Sequence, residues 1–423
     1  MKKRIIALLL TTALMTGLWG VSALAAGKYG QAVGTPSPSP AAGETAGEAV
    51  EETVYTTDPE GTLSFENLET RLRENCLDLL ALESNIAAIE ALDYEDLKDT
   101  VLESLNGLAD YQFLLYSMGE SFTAASMQSS YDSLWETYTD LREGKLQADN
   151  ADIVRQLRSA QDQIVMVAQS LYIQYLSLES SGAALDRQLA ALDRNIRVAE
   201  LSYQQGNVSA LTLEQAKSGR VQLVSGQQSL DMGMDVMAMQ LQSMAGMDLT
   251  GALTLTALPE VTEEQLSAME EETDLTAAKT ASYSLLSALR TYEDAKEAYE
   301  DAVDEYGINS KKYQFTQAKH TWKGAQLTYQ SAVRNFEMQF RTLYRQVKDY
   351  KQVLEAAKTA LAVEEKNYAA AQLKYQQGRI SQNALLDAAD TLAAAEDKVN
   401  SAALDLFTGY NNYRWAVDHG ILN

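Results

Sequence analysis

The sequence predicts an all-α protein built from two tandem copies of a very long antiparallel coiled-coil hairpin. Three observations carry this expectation. The tetrapeptide YQQG stands at Tyr203–Gly206 and again at Tyr375–Gly378, an offset of 172 residues, and 12 of the 28 positions from Leu189 to Ala216 recur in Leu361–Ala388. A duplication of this size sets the architecture before any local element does. Apolar residues also recur at alternating steps of three and four, the seam of a coiled coil. Finally, the only proline after Pro59 is Pro259. The tracts of 199 and 164 residues on either side of Pro259 thus lack the residue that costs a helix interior about 3 kcal/mol.

The chain opens with Lys2, Lys3 and Arg4, an apolar run and then Ala23-Leu24-Ala25. This is the pattern of a secretory signal peptide, residues 1–25, with its basic start and small-residue cleavage site. No cysteine follows the apolar run, so the pattern is not that of a lipid attachment site. Residues 26–61 are rich in Pro, Ser, Ala, Gly and Glu, a composition that buries no core and reads as a disordered tether. Order is expected from Thr62, with Ser64 as N-cap and Leu63 and Leu68 at the spacing of a hydrophobic staple. The first copy is residues 62–258 and the second 259–423. Leu253–Thr256, between them, is the best strand candidate, and Thr262–Gln265 is a capping box that opens the second copy.

Within each copy a short polar break precedes the longest helix, Arg142–Asn150 in the first and Tyr306–Ser310 in the second. Their Gly and Asn residues predict tight helix–helix turns. The seam of the first long helix runs through Ile153, Leu157, Ala160, Ile164, Ala168, Leu171, Tyr175 and on to Ile196, Ala199 and Tyr203. Its counterpart runs through Ala325, Phe336, Phe340, Val347 and Leu361 to Tyr375, with Glu364 its one polar member. Both copies carry an extra four-residue step, a stutter that locally unwinds a coiled coil, at Ile164/Ala168 and Phe336/Phe340. At 1.5 Å per residue these helices span about 80 and about 100 Å, too long for a globule. The return helices carry Leu213, Leu223, Met234, Leu241 and Met244, and Leu385, Leu392, Leu406 and Tyr413. The methionines between Met232 and Met247 read as adaptable core filler. Cys76 reads as a small hydrophobe inside a helix.

Composition excludes several functions. The formal charge of −25 becomes −28 once three n-region cations are removed, and such a surface repels nucleic acid and anionic headgroups. No stretch of the mature chain approaches the roughly 20 apolar residues of a membrane helix, so stable self-insertion into a bilayer is not expected. Cys76 is the single cysteine, and His320 and His419 are the two histidines. None sits in a nucleophile, metal or phosphate motif. No catalytic residue, metal or cofactor is predicted.

The segment Thr62-Leu-Ser-Phe-Glu-Asn-Leu, both Y-x-x-G turns and Leu241-Gln-Ser-Met-Ala-Gly246-Met-Asp-Leu249 together resemble the TolC family of outer-membrane efflux proteins, across Thr62–Asn423. The resemblance implies a homotrimer whose twelve helices form a tube. It also implies that the Y-x-x-G turns lie at a periplasmic tip meeting an adaptor protein and an inner-membrane transporter. Carried onto this chain, the tip comprises Tyr203, Gln205, Gly206 and Ser209 in the first copy. In the second it comprises Tyr375, Gln377, Gly378, Arg379 and Ser381. Gly206 and Gly378 would take a positive φ, the two tyrosines would pack behind them, and Ser209 and Ser381 would cap the returning helices. An acidic tip position of the family is Thr212 and Ala384 here. The next is kept as Asp387, with Gln215 in the first copy. Three Asp387 carboxylates would form a cation-attracting ring; the same residue reads equally well as a solvated surface group.

One departure is large. Members that cross an outer membrane insert a β-hairpin before each long helix, and each barrel strand needs about 9–11 residues. Arg142–Asn150 and Tyr306–Ser310 hold no such hairpin, so the chain reads as a member without the β-barrel, exported to the cell envelope. The other reading is a non-transport extracytoplasmic coiled-coil scaffold or adhesion rod.

Overall fold

The computed structural model describes residues 58–59, 61–308 and 311–422, all within one unit, Tyr55–Asn423. The expected signal peptide and all but the end of the tether lie outside the described residues. Order begins a little before Thr62. The Asp58 carboxylate accepts the backbone N–H of Ser64 (2.9 Å) and the side-chain amide of Asn67 (2.8 Å), so the end of the tether is part of the first helix cap.

Strand β1 (Thr62–Leu63) pairs in parallel with β2 (Thr254–Leu255), tying the chain's start to its midpoint where the strand candidate lies. Helix α1 (Phe65–Asn75) starts at Ser64, whose side chain accepts the N–H of Asn67, and Leu63 and Leu68 are both fully buried. Helix α2 (Leu77–Glu90) follows after one extended residue, Cys76. The sequence placed Cys76 inside a helix. The structure instead puts it, buried, at a break that leaves both Leu72 and Leu79 in the core.

Helix α3 (Tyr94–Ser117), the short α4 (Ser121–Ser126) and α5 (Gln128–Glu143) form a helical hairpin that reverses at Gly119. This corrects the expected turn at Arg142–Asn150. There the chain is interrupted at Gly144 alone, and α6 (Lys145–Gln204) begins at the next residue. Leu-Gln-Ala after Lys145 are good helix formers, and they outweigh the Asp and Asn that suggested a loop. Asn150 lies beside Tyr94, their side chains joined at 3.0 Å.

Helix α6, of 60 residues, is about 90 Å long and pairs with α7 (Ala210–Met244). In the second copy the capping box Thr262–Gln265 starts α8 (Glu263–Ser267), followed by α9 (Glu271–Ala281) and α10 (Tyr283–Tyr306). The chain turns at Gly307. It then runs down α11 (Tyr313–Gln376), of 64 residues or about 96 Å, and returns as α12 (Gln382–His419). Contacts order the four long helices in a row, α7, α6, α12, α11. β1 and β2, two residues each, are the strands among the described residues.

The duplication is visible in the packing. One core cluster holds Ala168, Leu171, Tyr172, Tyr175, Leu241 and Met244. The other holds Phe340, Leu343, Tyr344, Val347, Tyr413 and Ala416. Each residue of the second set is its counterpart in the first shifted by 172. Both clusters sit at the stutters, where a third layer covers the long helices: α1 and α2 in one copy, α8 and α9 in the other. Local unwinding opens the two-helix seam there and admits the extra layer. Towards Gly206 and Gly378 the helices pair without that layer, and apart from Ile196 and Leu213 few side chains are fully buried. The expected core methionines divide. Met234, Met237, Met244 and Met247 are half-buried, but Met232 (68% exposed) and Met239 point outward.

Candidate docking and assembly surfaces

Each Y-x-x-G segment ends its long helix in the same hydrogen-bonded turn. In the first copy Gly206 N–H donates to the Tyr203 carbonyl (2.9 Å) and Asn207 N–H to that of Ser202 (2.8 Å). In the second, Gly378 N–H donates to Tyr375 and Arg379 N–H to Lys374, both at 2.8 Å. This nested pair is the Schellman motif, which requires a left-handed residue at the glycine position; φ is 75° at Gly206 and 70° at Gly378. The return helices start at Ser209 and Ser381, whose hydroxyls accept the N–H of Thr212 and of Ala384, each at 3.2 Å. Gln205 and Gln377 are the C-caps of the outgoing helices and are exposed, as is Arg379.

The tyrosines depart from expectation. Tyr203 and Tyr375 contribute their carbonyls to the turns, but their rings are 46% and 40% exposed instead of packed behind the glycines. The helices end there and no third layer covers their last turns.

Facing residues of α6 and α12 have numbers that add to 580–584. Asp162 faces His419, Gln169 faces Asn411 and Trp415, Arg187 pairs with Asp397, and Arg194 pairs with Asp390. The last such pair is Arg194–Asp390; continued at the same sum to the helix ends, this register would bring Gly206 level with Gly378. It would also bring Asp387 level with Arg197, a residue that sequence reasoning did not single out. Both are exposed, and the Asp387 carbonyl accepts the Thr391 hydroxyl (2.8 Å).

The opposite end carries a feature that the sequence reading missed. Around the Gly119 reversal, Tyr111, Phe113 (77%), Leu114, Tyr116, Met118 and Phe122 (87%) are all exposed. Tyr111-Gln-Phe-Leu-Leu-Tyr-Ser-Met118 contains no charge and does not keep heptad spacing, and that was the legible signal. Ile308 and Tyr313 are likewise exposed beside the Gly307 turn. No helix among the described residues is long and apolar enough to cross a membrane.

No protein-family model and no curated protein matches the chain. Solved structures do. The Campylobacter jejuni CmeC outer membrane channel superimposes with a TM-score of 0.50 at 12% identity, covering 68% of this chain and 68% of that one. The outer-membrane channel OprN gives 0.48 at 13% identity (84% and 90% covered). A membrane protein from Pseudomonas aeruginosa gives 0.47 at 11% (82% and 90%). The first of these, taken with the paired hairpins, bears out the resemblance at the level of fold. The chain shares with that channel a fold of long paired helical hairpins, made here, among the described residues, with two two-residue strands and without the strands of a transmembrane β-barrel.

Proposed function

We propose that this protein is a TolC-like component of an envelope-spanning efflux or secretion system. Three copies form a helical tube, exported by the signal peptide at 1–25, and the edge formed by the two Y-x-x-G turns docks an adaptor protein that links it to a membrane transporter. The observation that carries this reading is the repetition of the same Schellman turn, with the same backbone bonds and a left-handed glycine, at the ends of both long hairpins, each about 90 Å long. The exposed side chains of Gln205, Gln377 and Arg379 can meet a partner without disturbing the backbone bonds that form the turn. On this reading Asp387, with Arg197 at its level, lines the narrow end of the tube as a charged ring.

The test combines assembly and transport. Light scattering on the purified chain should give three copies. Deleting the gene should reduce export of the system's cargo, and replacing Gln205, Gln377 and Arg379 together by alanine should reproduce that loss while leaving helix content unchanged. Full export by the triple variant would sink the docking assignment.

A second reading, a non-transport extracytoplasmic scaffold or adhesion rod, draws support from the lack of barrel strands among the described residues. A monomer or dimer by light scattering, with export untouched by deletion, is what that reading expects.

A further inference from the structure

The two copies differ in what precedes their longest helices. Each has a buried, extended break, Cys76 (φ −71°, ψ 116°) in the first and Ser282 (φ −72°, ψ 109°) in the second. After Ser282, α10 reaches α11 through the Gly307 turn. After Cys76, α2 is followed by α3, α4 and α5 before α6 begins. The hairpin that reverses at Gly119 is thus an addition to the first copy, without a counterpart in the duplication.

Its tip inverts the usual pattern of a hairpin in water. From Tyr111 to Met118 only Gln112 and Leu115 are buried, and the outward side chains are all apolar or aromatic except Ser117. A helix that is apolar on every side needs an apolar surrounding. The polar groups of the tip are meanwhile satisfied within it. The Gln112 amide donates to the Ala124 carbonyl (3.3 Å), the Ser117 hydroxyl to that of Leu114 (2.6 Å) and the Ser126 hydroxyl to that of Thr123 (2.7 Å). At the reversal, the N–H of Gly119 reaches the Tyr116 carbonyl (3.1 Å) and that of Glu120 the Leu115 carbonyl (2.9 Å). A segment that leaves water requires such internal closure.

Charge then selects the surrounding. Between Asp110 and Asp132 the one charged residue is Glu120. Behind the tip, Glu103 and Asp110 on α3 and Asp132 and Glu136 on α5 are all exposed and make an acidic collar. Along the helix Tyr111 to Met118 spans about 10 Å, the depth to which interfacial segments sink between headgroups and acyl chains. Trp135 stands on the collar, 49% exposed, as indoles do at a membrane interface. A second copy meeting the tip end-on would bring two acidic collars together, which like charges oppose. Anionic headgroups are opposed for the same reason.

We propose that the tip at Gly119 anchors the protein on a neutral or zwitterionic lipid surface by sinking its aromatic side chains into the interface. This is attachment to one leaflet, and it asks nothing of helices that are not long and apolar enough to cross. The tip adjoins the start of α6, whereas the first Y-x-x-G turn closes its far end, so the anchor stands whether or not three copies form a tube.

Flotation of residues 26–423 with phosphatidylcholine vesicles tests this. The chain should rise with the vesicles, and less of it should rise when phosphatidylglycerol is added to them. Phe113→Ser with Phe122→Ser should cut the bound fraction about tenfold or more at unchanged helix content. Phe113→Trp with Phe122→Trp keeps the aromatic anchors, so it should still float, with its emission shifted to the blue by vesicles. A chain that stays in the soluble fraction overturns the proposal, as does flotation that the serine pair leaves intact or that only anionic vesicles support. Oligomers that form without vesicles and dissolve in the serine pair, with no flotation, would also overturn it and assign the rings to a second copy.

Discussion

The hydroxyl of Tyr172, fully buried in α6, lies 3.0 Å from the carbonyl of Leu63, across 109 residues of sequence. It also lies 2.7 Å from the Thr256 carbonyl and 3.2 Å from the Thr256 hydroxyl. One phenol thus pins both strands of the small sheet, and with them the start and midpoint of the chain, onto a long helix. Tyr172→Phe keeps the ring packing against Phe65 but leaves the Thr256 carbonyl without this donor. A loss of about 1–2 kcal/mol is expected, read as a lower urea midpoint with unchanged helix content.

The tip glycines and Gly420 make a matched comparison. All three hold positive φ. A Cβ at Gly206 or Gly378 meets nothing within 4 Å, whereas at Gly420 it would lie 2.3 Å from the backbone N and Cα of Ser282. Alanine at either tip should cost about 1 kcal/mol, the backbone penalty alone. Gly420→Ala should cost about 3 kcal/mol, because Ser282 is buried backbone that has no room to move. Thermal melts of the three variants check the order; equal losses would remove the steric argument.

Much of this was legible in the residues. Glycine after a long seam marked both tip turns, and Ser209, Ser381 and Thr262 were readable as caps because each precedes its helix at the right distance. The offset of 172 predicted which side chains share a core environment. The reversal at Gly119 was not legible, since the polar run after Arg142 mimics a loop while continuing as helix. Met232 and Met239 went astray for a related reason. A return helix in a row has two stripes at heptad spacing, one facing its own hairpin and one facing the next helix. Periodicity alone does not say which stripe is covered. The level placement of Gly206 and Gly378 depends on the α6–α12 register, which only the folded joint reveals.

The aromatic group at the Gly119 reversal bears on handling of the protein. Phe113 and Phe122 are exposed at 77% and 87%, so neither contributes much to stability, yet with Tyr116 and Met118 they leave exposed apolar surface around one reversal, and such surface favours association. Replacing both by serine should shift the melting temperature by less than about 2 °C, as surface changes do. It should also raise the concentration at which the chain precipitates. A large drop in melting temperature would mean that these rings are covered in solution.

The end of α12 should respond to pH through His419. Its Nδ1 lies 2.8 Å from the Asp162 carboxylate on α6, and that carboxylate also receives Arg73 of α1 at 3.2 Å. Its ring packs on Trp415, with centroids 4.5 Å apart. The hydrogen bond to Asp162 raises the imidazole pKa above its ordinary 6.5; burial opposes this, while the charges of Asp162, Asp418 and Glu69 add to it. A raised folded pKa means that the folded state holds the proton more tightly than the unfolded one. The contribution is therefore fully present below the unfolded value and is lost as pH rises through the folded one. Wild-type protein should melt above His419→Gln at about pH 5.5, and the gap should shrink by about pH 9. Asp162→Asn should remove the same pH-dependent gap while leaving the Trp415 contact in place. A gap that is constant with pH would assign His419 a packing role only.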